Sequence, residues 1–194
     1  MIPSTQQFLT IVSGLPRSGT SMMMRMLEAG GLPVLIDGQR EADEDNPRGY
    51  YEFEAVKQTK KDASWLEGSE GQAVKMVYRL LYDMPSDRQY RVVFMRRKTE
   101  EVLASQRVML QRNGVGDEVS DAQMAALFHA QLAEFEAWVA KQANIKILEV
   151  SYNRMLEDPA TEIARINDFL GGDLNIQAMA EVVEPSLYRN RVQA

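Results

Sequence analysis

Phe8-Leu9-Thr10-Ile11-Val12-Ser13-Gly14-Leu15-Pro16-Arg17-Ser18-Gly19-Thr20-Ser21 is the stretch that decides the fold. Phe8 to Ser13 is a short apolar run stopped by Gly14, the pattern of a buried strand. A helix is predicted from Ser18 to Ala29, ended by Gly30-Gly31. Between them lies a loop of spacing G-x-x-x-x-G, Gly14 to Gly19. Strand, glycine loop and helix in that order suit an anion cradle. Glycines let the backbone turn tightly, successive N–H groups point inward, and the helix N-terminus adds partial positive charge. The bland alternative is a glycine turn that merely joins strand to helix.

Two departures narrow the chemistry. Thr20 stands where a nucleoside-triphosphate loop has its lysine, and the basic residue is Arg17, three positions earlier. The apolar run ending at Met95 continues into Arg96-Arg97 and not into an acidic residue that would hold Mg²⁺. Both weigh against a small-molecule P-loop kinase, which stays as one alternative. A non-catalytic nucleotide-binding protein of the same fold is another.

Outward from the loop, strands are predicted at 73–78, 91–95 and 145–150. Helices are predicted at 52–61 and 99–112, from Ser120 with Gln123 completing a capping box, and from Asp158-Pro159 to Gly171-Gly172. Residues 37–51 are polar and read as a long loop, which in a compact domain tends to be functional. The alternation predicts an α/β architecture with a parallel sheet; together with the glycine loop it is read as a three-layer P-loop fold, a central parallel sheet flanked by helices, in one domain over 1–194. Met22, Met23, Met24 and Met26 read as core packing of the first helix.

Bulk properties exclude several classes. The chain has 194 residues, 45% hydrophobic content, net charge −6 and no cysteine. Disulfides, thiolate metal sites and cysteine nucleophiles are excluded together. One histidine makes an imidazole metal site improbable. The acidity argues against nucleic acid or an anionic membrane as partner. The first residues carry no basic run before an apolar core, so no signal peptide is expected and a cytoplasmic, bacterial-sized enzyme is. The oligomeric state is not legible.

The loop Gly14-Leu15-Pro16-Arg17-Ser18-Gly19-Thr20-Ser21 resembles the 5′-phosphosulfate loop of the sulfotransferase superfamily, P-[KR]-S-G-T-[ST]. With arginine and a methionine-rich helix, it is most similar to bacterial sulfotransferase-like proteins and tyrosylprotein sulfotransferases. The resemblance implies the donor 3′-phosphoadenosine 5′-phosphosulfate (PAPS), the product 3′,5′-ADP and no metal. It implies that Gly14, Pro16, Arg17, Ser18, Gly19, Thr20 and Ser21 bind the phosphosulfate. The family's 3′-phosphate signature, an arginine at a strand end with a serine eight residues on, is matched by Arg97 and Ser105. A guanidinium fork grips a phosphate bidentately, and the hydroxyl adds a donor. As a strand-end residue, Arg97 is expected to be replaceable without loss of the fold. The run from Ile147 to Gly171 resembles the family's Y-E-D-M-x-x-D-P segment, which places Tyr152 where the family's tyrosine touches adenine. The alternatives are a solvated strand end for Arg97 and a strand-capping tyrosine for Tyr152.

Lys75 falls where the family has a catalytic lysine, and Val77 where cytosolic members carry their catalytic histidine. The family's C-terminal G-x-x-G-x-x-K loop is absent, leaving Arg189 and Arg191 as substitutes or as a frayed basic tail. The base must come from elsewhere. His129 reads as a partly exposed histidine on a helix face. Glu52, in a segment resembling N-P-K-G-[YF]-x-E of bacterial relatives, is the candidate, or simply a first-turn glutamate; Asp37 and Asp45 are reserves. Arg17, Lys75 and Glu52 are thus the candidate catalytic residues. The acceptor, a small molecule or a side chain, is not identified by the sequence.

Overall fold

The computed structural model describes residues 7–38, 49–112 and 120–183. Four parallel strands form one sheet in the order β2-β1-β3-β4: β1 (Leu9–Gly14), β2 (Ala73–Lys75), β3 (Tyr90–Arg96) and β4 (Ile145–Ser151). The register runs Val12 to Lys75, Val12 to Val93 and Val93 to Leu148. β1 and β3 are central, and β3 is apolar on both faces, as a strand covered by helices on each side must be.

Side-chain alternation splits the core into two halves. Val12, Val93 and Met95 face α1 (Thr20–Ala29), α5 (Pro159–Leu170) and α6 (Ile176–Glu181). Ile11, Val92 and Phe94 face α3 (Asp121–Val139), with Leu132 and Phe135 upon them, and the chain around 56–81. Phe94 stacks on Phe135 at 5.2 Å between ring centres. All four methionines of α1 are buried, as their reading as core requires.

Most predicted elements are present. Helix α2 spans Thr99–Arg112, and the Ser120–Gln123 capping box opens α3. Asp158 caps α5, Pro159 is its first residue, and Gly171 ends it at φ 116°. The helix expected over 52–61 is only a 3₁₀ turn, Glu54–Gln58. It is closed early because the Thr59 hydroxyl donates to the Val56 carbonyl and accepts from the Trp65 indole N–H. The strand expected over 73–78 stops at Lys75, and a 3₁₀ turn begins at Tyr78. A short helix, α4 (Tyr152–Glu157), takes up the chain directly after β4, capped by the Ser151 side chain. No helix among the described residues is long and apolar enough to cross a membrane.

Candidate functional site

The loop after β1 is shaped by backbone conformations that few residues tolerate. The Ser18 N–H donates to the Leu15 carbonyl at 3.2 Å, closing a turn with Pro16 second and Arg17 third. Arg17 has φ 69°, where such turns usually place glycine. Holding a non-glycine residue there costs about 1–3 kcal/mol, so the surroundings must enforce it. Gly14, at φ 149°, has no room for a side chain: a Cβ would lie 2.6 Å from Ser18 Oγ and 2.7 Å from the Met95 carbonyl oxygen. Gly19, at φ 100°, opens α1 without a side-chain cap, and no acidic residue stands in that helix's first turn. Among the described residues, none hydrogen-bonds to the buried Ser18 Oγ.

The strand-end arginine meets this loop directly. Arg97 donates through Nη1 to the Arg17 carbonyl at 3.2 Å and through Nε to Glu101 Oε2 at 2.9 Å. Arg17 Nε in turn donates to the buried Ser105 Oγ at 2.9 Å. The Arg97 guanidinium lies 4.7 Å from the centre of the Tyr152 ring. The same ring closes under the loop, since a Cβ on Gly19 would sit 2.4 Å from its Cδ2. Loop, Arg97, Ser105 and Tyr152 therefore form one contiguous cluster at the carboxyl ends of β1, β3 and β4, where ligands bind in open parallel sheets.

The structure revises one expectation here. The Arg97 side chain is only 8% exposed and is ion-paired to Glu101, which is 0% exposed. It is part of the buried framework as well as of the site. Tyr152 stands at the start of α4, not at a bare strand end.

Lys75 lies beside the cluster. Its Nζ donates to the Tyr50 carbonyl, which also accepts from Ser21 Oγ at 3.5 Å. Glu52 lines a cleft of about 250 Å³ with Ile36, Tyr50 and Tyr51. In the same cleft the Tyr51 hydroxyl donates to Glu28 at 2.5 Å. Burial first, then the Glu28 hydrogen bond and charge, hold that hydroxyl well above the usual tyrosine range. Asp37 accepts from the Glu54 N–H at 2.6 Å, which starts the 54–58 turn. Val77 is exposed. His129 is an exposed helix residue whose Nε2 is 3.0 Å from Thr99 Oγ1. A larger hollow of about 350 Å³, lined by Gln7, Leu9, Asp87 and Tyr90, lies at the opposite, amino-terminal edge of the strands. Asp45, Arg189 and Arg191 fall outside the described residues.

Sequence reasoning missed Glu101 and Asn153. Asn153 Nδ2 reaches both oxygens of Glu101, at 3.1 and 3.2 Å. The i,i+4 spacing of Arg97 and Glu101 was a visible signal; Asn153 had none.

A family model described as sulfotransferase domain matches residues 9–191. The chain belongs to the sulfotransferase family. Solved sulfotransferase domains share its architecture. The domain from the curacin biosynthetic pathway superposes with a TM-score of 0.57 at 13% identity, covering 91% of this chain and 78% of that one. The domain from the Synechococcus PCC 7002 olefin synthase gives 0.53 at 13% identity, covering 98% and 86%. Retinol dehydratase, solved with androsterone and the inactive cofactor PAP, gives 0.50 at 20% identity, covering 93% of this chain but 64% of that one. No curated protein sequence shows significant similarity to this sulfotransferase.

Proposed function

We propose that this sulfotransferase uses PAPS and moves its sulfuryl group to a hydroxyl or amine acceptor by in-line displacement. One observation carries the reading. Three segments far apart in sequence, the Arg17–Ser21 loop, Arg97 with Ser105, and Tyr152, are tied together by direct contacts. A nucleotide with anionic groups at both its 3′ and 5′ positions needs two cationic grips and an aromatic surface near one another. The residues fit such a group: among the described residues none hydrogen-bonds to the buried Ser18 Oγ, α1 has no side-chain cap, and Gly14 and Gly19 have no room for side chains of their own. That a protein of this fold was solved with PAP adds support.

Bound PAPS supplies a sulfuryl group activated by its phosphate leaving group. Arg17 and the amides of Ser18 to Ser21 hold the phosphosulfate end. Arg97 and Ser105 hold the 3′-phosphate, and Tyr152 lies against the adenine. Lys75 places positive charge beside the loop, where developing negative charge is stabilised best by donors already fixed in place. Glu52, in the cleft next to Tyr50, takes the acceptor's proton. The test is incubation with PAPS and a panel of phenols and amines. Equimolar appearance of 3′,5′-ADP and a sulfated acceptor is expected. Phosphate transfer from ATP with Mg²⁺, and none from PAPS, would overturn the proposal in favour of a kinase.

A further inference from the structure

We infer that Glu101 and Asn153 are positioning residues that set the selectivity of the nucleotide site for a 3′-phosphate, by fixing the Arg97 guanidinium. This rests on the donor reading above and extends it to residues that touch no ligand.

The geometry is specific. Glu101 is 0% exposed, and a buried carboxylate is costly unless it is paired and hydrogen-bonded. Here it takes Arg97 Nε at 2.9 Å on Oε2, and the Asn153 amide on both oxygens. Asn153 Oδ1 accepts the backbone N–H of Lys98 at 3.3 Å, so the same side chain ties α4 to the loop carrying Arg97. Asn153 also follows Tyr152, the ring on which Arg97 rests. The guanidinium is thus held by a carboxylate, a backbone carbonyl and an aromatic face, while its carboxylate is held by an amide from another segment.

A carboxylate beside an anion site lowers its attraction for phosphate. Glu101 therefore costs raw affinity and contributes orientation. A guanidinium fork discriminates only when its plane is fixed, because bidentate contact depends on geometry as well as charge. Glu101→Gln keeps the shape and removes the charge. It leaves Arg97 more attractive to any anion but less firmly fixed. A merely structural Glu101 would weaken every ligand together.

The experiment measures calorimetric affinities of 3′,5′-ADP, 5′-ADP and pyrophosphate for wild type, Glu101→Gln, Asn153→Ala and a control, Arg96→Gln. The Arg96 side chain is engaged instead by Glu136 and Glu149. The preference for 3′,5′-ADP over 5′-ADP should fall about ten-fold in Glu101→Gln and Asn153→Ala, the size of one charge-assisted contact. Pyrophosphate should bind Glu101→Gln at least as well as wild type, and Arg96→Gln should keep the full preference. Should Glu101→Gln not fold, Asn153→Ala decides alone. A preference unchanged in the variants, or an equal loss for all three ligands, overturns the inference while the donor reading stands. A wild type that shows no preference overturns both.

Discussion

Replacing Gly19 by alanine should break the point where loop, helix and Tyr152 meet. Two costs follow from the structure. At φ 100° an L-residue crowds its own backbone, which costs about 1–2 kcal/mol. The new methyl would also stand 2.4 Å from Tyr152 Cδ2 and 3.0 Å from Cε2. A ring edge cannot fold aside as a flexible chain end can, and Tyr152 is 6% exposed with little room to retreat. Overpacking of this kind costs about 1–3 kcal/mol. The sum is about 2–5 kcal/mol, and at about 2–4 °C per kcal/mol for a chain this size the melting temperature should drop by about 4–20 °C. Urea unfolding of Gly19→Ala, Tyr152→Ala and the double variant separates the terms. In the Tyr152→Ala background the clash is gone, so Gly19→Ala should cost only the backbone part. Because the ring supports Arg97, the single variant should also bind 3′,5′-ADP more weakly. A Gly19→Ala protein as stable as wild type, or strictly additive costs in the double variant, would refute the packing described here.

Other perturbations test other parts. Arg97→Ala should weaken 3′,5′-ADP binding by roughly 2–3 kcal/mol in calorimetry. It should also destabilise the fold by about 3–5 kcal/mol in denaturant titration, because it strands the buried Glu101. Lys75→Ala should lower kcat by about 10²–10³-fold with a smaller effect on nucleotide affinity, since its charge matters most as negative charge builds up. Glu52→Gln should cost about 10²–10⁴-fold in rate and leave nucleotide binding unchanged; full activity there, with loss in Asp37→Asn, would move the base to Asp37. Burial pushes the Tyr90 hydroxyl up to about 12, while an unfolded tyrosine ionises near about 10. The neutral form is favoured in the native state. Its stabilisation is therefore complete below pH about 10 and lost as pH rises toward about 12. Thermal melts over that range should fall with pH, less steeply in Tyr90→Phe.

The loop after β1, its strand and its helix were legible because each depends on local signals: an apolar run, glycines where side chains cannot fit, and a helix stop at Gly30-Gly31. The same holds for the Ser120–Gln123 cap and for α5 between Asp158 and Gly171. The short strand β2 was overextended because Met76 is buried like a strand residue, although its chain already bends toward the turn at Tyr78. The helix expected at 52–61 shrank to one turn because Asp37, Thr59 and Trp65, all outside that turn, fix its two ends. α4 was invisible because six residues carry too little periodicity to separate from a strand end. Arg97, Ser105 and Tyr152 were named from a resemblance to the family's segments, but their contacts with Arg17 and Gly19 are tertiary facts. For the same reason a strand-end arginine read as dispensable turned out to be half of a buried ion pair. Asn153 has no local signature at all, since its meaning lies in Glu101, 52 positions away.

The central claim is that one site grips a nucleotide at both its 3′ and its 5′ phosphate. Isothermal titration of wild-type protein with 3′,5′-ADP and with 5′-ADP, each with and without Mg²⁺, tests it most directly. We expect 3′,5′-ADP to bind about 10- to 100-fold more tightly, the size of one charge-assisted phosphate contact, with no dependence on the metal. Equal affinities for the two nucleotides, or binding that appears only with Mg²⁺, would contradict it.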